Sequence, residues 1–197
     1  MAAGYLPLGR AAGWGFTDPM AGWTMRSTRE VFANHYIRVL EDEVVRPDGS
    51  AGMFGLVEVR NPAVFVVPVT SDDRVVLVHC DRYTTGTSWE VPAGGSDGED
   101  LRAAGERELA EETGYVADRW DHLGAQWGLN GVARSRIEVF LARELTRTST
   151  TYDEGEGIGA VEDFAWDDVR TMLRDGRLND NESAGALLLA AIELGWA

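Results

Sequence analysis

Cysteine is nearly absent: Cys80 is the only one in 197 residues, which excludes an intrachain disulfide and fits a reducing compartment. Histidine is also scarce. His35, His79 and His122 lie far apart, so the clustered His and Cys ligands of a zinc site are missing. Long apolar runs are missing too. The longest near the C-terminus, residues 186–192, falls well short of the ~20 residues that cross a bilayer. The N-terminus has no basic stretch followed by an apolar core, and the expectation is a soluble cytoplasmic protein. Positive charge is in deficit: 18 basic residues against 33 acidic leave a net charge of −15. Such a chain repels phosphate backbones and anionic membranes, so neither nucleic acid nor membrane is expected as a partner. A small phosphorylated ligand is not excluded, because a bound divalent cation reverses the local sign.

What is present is a globular mix, 44% hydrophobic and 26% charged, enough to build one sizeable core. Residues 1–27 are rich in Gly and Ala with scattered aromatics and no period, and read as an N-terminal extension. Residues 28–197 read as a single domain, with a hairpin over 31–60, a core over 61–175 and a C-terminal helix over 181–195. In the hairpin, strand-like residues 35–45 and 53–59 flank Pro47-Asp48-Gly49, a turn signal. The β-branched runs 63–69 and 74–79 flank Ser71-Asp72-Asp73 and suggest a second hairpin, with Pro68 at an edge or strand end. Shorter strands are expected at 89–91, 122–127, 137–141 and 160–166, and a polar, Gly-rich loop over 144–159. Helices are expected over 99–113, ending at Gly114, over 167–173, capped by Asp167 or Asp168, and over 182–194 with an apolar stripe. The order suggests α+β or a mixed α/β sandwich.

The informative stretch is 98–115, GEDLRAAGERELAEETGY. On a wheel of about 100° per residue with Glu108 at zero, Leu101, Gly105 and Leu109 fall at about +20°, +60° and +100°. Glu112 falls at about +40° and Glu111 at about −60°, so three carboxylates continue the apolar stripe. Charge runs on helices are usually solvated faces, and Glu99 and Glu106, on the opposite side, fit that reading. The other three do not. Acids on a core-facing side need compensation, Glu108 and Glu112 repel at i,i+4, and the C-terminal end of the dipole disfavours both. Arg107 can offset one of them, not three. A hard divalent cation offsets them all, taking carboxylate oxygens while keeping waters and substrate phosphate oxygens.

These residues resemble the Nudix box, G-x5-E-x7-R-E-U-x-E-E-x-G-U. Glu99, Arg107, Glu108, Glu111, Glu112 and Gly114 match its specified positions, and Leu109 and Tyr115 its bulky ones. One position departs. Ala93 stands where the pattern has glycine, and Gly94 follows it, so the turn before Glu99 is one residue short. The resemblance implies an α+β fold, an α/β/α sandwich whose Nudix-like mixed β-sheet is flanked by helices, here with an N-terminal antiparallel hairpin. It implies hydrolysis of a nucleoside diphosphate linked to another group, by water attack on phosphorus with Mg²⁺ or Mn²⁺. Carried onto this chain, Glu108 and Glu112 are metal ligands, with the Ala93 carbonyl as a backbone ligand. Glu111 is a third ligand or tunes the cluster, and Arg107 orients Glu108 or Glu111.

Flanking residues are similar to the ADP-ribose pyrophosphatase branch. The run from Trp89 through Glu90, Pro92, Ala93 and Gly94 resembles its W-E-x-P-A-G segment, and Arg82-Tyr83 its pocket pair. That implies a homodimer built through the N-terminal strands and a nucleoside diphosphate sugar as substrate. In the same branch an acidic loop before a late strand supplies a general base and a further metal ligand, which assigns Glu154 as base and Glu156 as ligand. Arg82, and after it Arg134 and Arg136, are candidate phosphate contacts, since guanidinium suits bidentate phosphate binding. Glu90 is a candidate acceptor from a ribose hydroxyl or a base edge. The alternatives are the same chemistry on a dinucleotide or coenzyme A derivative, or a non-catalytic ligand-binding regulatory module of this fold.

Overall fold

A computed structural model describes residues 22–148, 155 and 157–196. The first three strands, β1 (Thr24–Ala33), β2 (Ile37–Val45) and β3 (Ala51–Val59), form an antiparallel meander. Strand β1 begins inside the stretch expected as an extension, and the expected hairpin has three strands. The alternation in β1 is masked because nearly all its side chains are exposed. The turn between β2 and β3 closes as expected. Gly49, at a φ of 85° that favours glycine, donates to the Arg46 carbonyl, and the Asp48 carboxylate accepts from Ser50 N–H at 2.9 Å.

Beyond this meander lie β4 (Ala63–Pro68), β5 (Arg74–Arg82), β6 (Gly86–Glu90) and β7 (Ala93–Gly95), then helix α1 (Leu101–Thr113). Strands β8 (Tyr115–Trp127), β9 (Ala133–Arg134), β10 (Arg136–Arg147) and β11 (Ile158–Ala165) follow, then α2 (Trp166–Asp175) and α3 (Asn181–Leu194). A mixed sheet runs β7-β4-β10-β8, with β4 and β10 parallel and the other pairs antiparallel. A second runs β11-β5-β6, and β9 extends the meander to β1-β2-β3-β9. Among the described residues, no helix is long and apolar enough to cross a membrane.

The expected hairpin of residues 63–69 and 74–79 does not form. Strands β4 and β5 lie in different sheets, and an isolated bridge from Val69, just past β4, to Val75 is what remains of the hairpin. Both edges of β4 are already taken, by β7 and by β10, so β5 has nowhere to pair. An apolar run shows that a strand is buried and not which strand lies beside it. The side chains of β4 divide by period two. Val64 and Val66 meet Ala104 and Leu109 of α1 on one face; Phe65 and Val67 join Leu77, Met172 and Leu187 on the other. The mixed sheet is thus covered on both faces, which is the α/β/α sandwich.

Helix α1 is set by its ends. Asp100 caps it, accepting from the N–H of Arg102 and Ala103, and Gly114, at φ 71°, ends it. Gly105 lets it sit close to the sheet, since a Cβ there would lie 3.2 Å from Val64 Cγ1. Strands β8 and β10 run longer than expected: Asp118-Arg119 breaks the alternation of the partly buried Tyr115, Ala117 and Trp120 in β8, and the far end of β10 carries mostly polar side chains. Residues 144–147, expected as loop, continue β10. Helix α2 begins at Trp166, and neither Asp167 nor Asp168 caps it. Both lie in its first turn, where they oppose the dipole's positive end.

Candidate active site

A short backbone segment, residues 90–93, joins the parts of the site. Glu90 ends β6 and accepts from Arg82, at the end of β5, through Nη2 at 2.8 Å and Nε at 3.1 Å. Val91 donates its N–H to Ser183 Oγ on α3 at 3.2 Å. Ala93 donates its N–H to Glu112 Oε2 on α1 at 3.0 Å. Two sheets and two helices therefore converge on four residues of chain.

Helix α1 turns two of its carboxylates inward. Glu108 is 5% exposed and Glu112 is 1% exposed. The third does not follow: the Glu111 side chain is 55% exposed, which corrects the expectation of three inward acids. On the wheel Glu111 sits at the margin of the stripe, and there it reaches water and Arg107 instead. Arg107 also touches more acids than expected. Its Nη1 contacts Glu108 Oε1 at 2.8 Å and Glu111 Oε2 at 3.0 Å, its Nε reaches Glu99 Oε2 at 3.4 Å, and its Nη2 donates to the Gly95 carbonyl at 3.0 Å. Burial opposes the Arg107 charge, but the carboxylates around it outweigh that and hold its pKa above the ordinary arginine value. Geometrically one guanidinium bridges three acids; electrostatically it neutralises one.

The shortened turn before Glu99 has a defined path. Glu99 N–H donates to the Ser96 carbonyl at 2.8 Å, and the two residues between, Asp97 and Gly98, have φ of 48° and 86°. Gly94, one place after Ala93, is where the acid cluster needs a glycine. A Cβ there would stand 2.0 Å from Glu108 Oε1, so the carboxylate occupies the space a side chain would fill.

The chain contains no lysine; all 18 of its basic residues are arginine. Of the expected phosphate contacts, Arg82 is bound to Glu90, and those two sequence-expected residues hold each other. Burial works against the Arg82 charge, but Glu90's hydrogen bond and charge keep its pKa above the usual value. Arg134 lies 3.4 Å from Glu58, which also pairs with Arg38. Arg136 pairs with Glu138, a side chain 1% exposed that His122 Nε2 also meets at 2.7 Å. Glu154 and Glu156 lie outside the described residues. The loop's exit is fixed beside Arg82, because Gly157 accepts from Asp81 N–H at 2.9 Å and a Cβ at Gly157 would lie 2.8 Å from the Asp81 carbonyl.

Sequence reasoning missed Glu182. It is the second residue of α3, half-buried, with its Oε1 2.5 Å from where a Cβ of Gly128 would stand. Burial, then the charges of Asp180 and Glu90, push its pKa up. The nearest signal was Gly128 itself, a glycine at a strand end, which marks close approach without naming the visitor.

The donor set fits a divalent cation. Glu90, Glu99, Glu108, Glu111 and Glu112 face two guanidiniums, Arg82 and Arg107, which leaves a local excess of negative charge. The ligand atoms on offer are hard oxygens, which suit Mg²⁺ or Mn²⁺ and not zinc. Among the described residues, no three His, Cys, Asp or Glu side chains already converge on a single point.

A carboxylate-bearing helix packed on a mixed sheet, with its acids in excess of their cations, defines a class of site: one suited to a hard divalent cation and, through it, to an anionic ligand. The Nudix domain matches residues 59–186, and the chain belongs to the Nudix hydrolase family. The family generally uses divalent metal ions. The nucleoside diphosphate sugar hydrolase N-terminal domain matches residues 23–57, which span the meander. The chain is 28% identical over 165 residues to a methanol dehydrogenase activator of Bacillus methanolicus, covering 81% of this chain and 88% of the relative. It is 29% identical over 163 residues to an ADP-ribose pyrophosphatase of Bacillus subtilis strain 168, covering 80% and 86%. The solved structure of an ADP compounds hydrolase superposes with a TM-score of 0.76 at 22% identity, covering 89% of this chain and 97% of that one.

Proposed function

We propose that the protein hydrolyses the pyrophosphate bond of ADP-ribose or a similar nucleoside diphosphate sugar, giving a nucleoside monophosphate and a sugar phosphate. The observation that carries this reading is the burial of Glu108 and Glu112 together, with Gly94 making room for one and Ala93 N–H holding the other. The matching N-terminal domain and the pyrophosphatase relative support the substrate class.

Glu108 and Glu112, with the Ala93 carbonyl and Glu156, would hold Mg²⁺ or Mn²⁺. When bound, the ion neutralises phosphate charge and makes a water more acidic. Arg107 keeps Glu108 oriented, and Glu111, tied to the same guanidinium, joins as a ligand or tunes the cluster. Arg82, braced by Glu90, contacts the diphosphate. Arg134, at the end of β9, and Arg136, at the start of β10, assist in phosphate binding. Glu154 takes the proton of the attacking water. A new bond forms from water oxygen to phosphorus, the bridging P–O bond breaks, and its electron pair leaves with the departing phosphate. The protein acts as a homodimer through the meander, which exposes Val31, Phe32, Tyr36 and Met53. It resides in the cytoplasm, in keeping with a single cysteine, the buried Cys80.

The test is a panel of ADP-ribose, other nucleoside diphosphate sugars, dinucleotides and coenzyme A derivatives with Mg²⁺ or Mn²⁺, read by monophosphate release. Release from ADP-ribose and not from dinucleotides is expected. Turnover of dinucleotides or coenzyme A derivatives alone moves the chemistry to another substrate. No turnover of any compound favours a ligand-binding regulatory module, the reading to which a relative named as an activator lends weight.

A further inference from the structure

We propose that Glu182 determines specificity at this site by accepting hydrogen bonds from the sugar hydroxyl groups of the substrate. The inference rests on the hydrolase reading above and adds a residue to it from an element that carries no part of the Nudix box.

Three observations carry it. The first is place. Ser183 Oγ accepts the Val91 N–H, so the first turn of α3 is fastened between Glu90 and Ala93, the two residues that hold Arg82 and Glu112. Glu182 precedes that fastening by one residue. The second is rigidity. The start of α3 is pressed against the end of β8 at two glycines: Glu182 Oε1 stands 2.5 Å from a Cβ built on Gly128, and Gln126 Oε1 stands 2.5 Å from one built on Gly185. Gln126 also donates to the Gly185 carbonyl at 3.3 Å. The carboxylate thus lies in the space that a side chain at Gly128 would fill.

The third is its lack of donors. Three acids meet here. Glu90 has Arg82, and Asp180 caps α3 by accepting from Ser183 N–H at 2.7 Å. The Glu182 side chain makes no hydrogen bond or ion pair with another described residue, and its charged neighbours Asp180 and Glu90 are both repulsive. A half-buried carboxylate in this position is destabilising by itself. Its place in the first turn offsets part of that through the helix dipole, which accounts for an acid there but not for its confinement against Gly128. An acceptor packed against a glycine and without a donor among the described residues suits a ligand rich in hydroxyl groups, and a sugar joined to a diphosphate is such a ligand. Preorganisation of the acceptor means little ordering is left to be done on binding.

The experiment is steady-state kinetics of full-length Glu182→Ala and Glu182→Gln on ADP-ribose with Mg²⁺, beside wild type and with melting temperatures recorded. A hydrogen bond to a charged group predicts that KM rises by about 10–100-fold in the alanine variant with kcat within about threefold. Glutamine keeps one acceptor oxygen and is expected to fall between. Unchanged KM in both variants overturns the proposal, as does a fall in kcat alone, or a fall in melting temperature with KM intact. A wild-type enzyme that releases no monophosphate from any nucleoside diphosphate derivative overturns the hydrolase reading and this inference with it. An active wild type whose variants match it overturns this inference only.

Discussion

Gly94→Ala probes the seat of Glu108 with a single methyl group. Gly94 has ordinary backbone geometry, so the substitution introduces no φ strain. The new Cβ would stand 2.0 Å from Glu108 Oε1 and 2.2 Å from its Cδ. Ordinary contact needs more than 3 Å, so the carboxylate must move by about 1 Å or more. It is the end of a flexible side chain and can swing aside, but only by leaving the position at which Arg107 Nη1 meets it at 2.8 Å. The stability cost should therefore be modest, within the ~1–3 kcal/mol typical of overpacking, and the functional cost larger. Misplacing a reacting group by about 1 Å can cost about 100-fold in rate. The control is Gly95→Ala, whose Cβ meets nothing closer than Asp97 Oδ1 at 3.4 Å and which keeps the carbonyl that Arg107 uses. The assay is turnover of ADP-ribose against Mg²⁺ concentration, with thermal melting of both variants. About 100-fold lower turnover and a raised Mg²⁺ requirement are expected for the first, and near-wild-type behaviour for the second. If the two alanines behave alike, the Glu108 carboxylate does not sit where this reasoning needs it.

Glu112→Gln keeps an acceptor for Ala93 N–H and removes only the charge, so turnover should fall by several orders of magnitude with the melting temperature little changed; equal activity would remove Glu112 from the metal site. Glu111→Gln, on a side chain open to solvent, should cost far less, and a loss matching that of Glu112→Gln would put Glu111 among the principal ligands. Glu154→Gln should lower turnover with Mg²⁺ affinity nearly intact; a large loss of metal binding would make Glu154 a ligand and not the base. Glu182 has its pKa raised in the folded state, so protonation favours folding, and that contribution is lost as pH rises through the folded pKa. Glu182→Gln should accordingly be more stable than wild type at neutral pH, with the gap closing below the usual carboxylate range; urea melts at several pH values read this, and a constant gap would contradict it.

The site was more legible than the sheet. The box residues announce themselves because helical period and charge disagree: Glu108 and Glu112 fall where Leu101 and Leu109 also fall. Glu111 showed the limit of that argument, since a wheel gives an angle and not the distance to the surface. The β4–β5 hairpin failed for a different reason. Runs such as Val64–Val67 and Val75–Val78 are buried on both faces, and nothing local in them chooses a neighbour. The outer halves of β8 and β10 were lost because Asp118-Arg119 in the one and the charged residues Arg143, Glu144 and Arg147 in the other interrupt the apolar alternation. Glu182 was out of reach for a third reason. It meets Gly128, 54 positions earlier in the chain, through a contact that only the packing of α3 against the end of β8 creates.

The central claim is that α1 carries a buried pair of carboxylates, Glu108 and Glu112, whose charge a divalent ion balances. Titrating Mn²⁺ into the protein by electron paramagnetic resonance, with and without the Glu108→Gln/Glu112→Gln pair, tests it without any substrate. The account predicts tight binding by the wild type and at least a tenfold weaker affinity in the double variant, with both proteins folded. Equal Mn²⁺ affinity in the two proteins would contradict it.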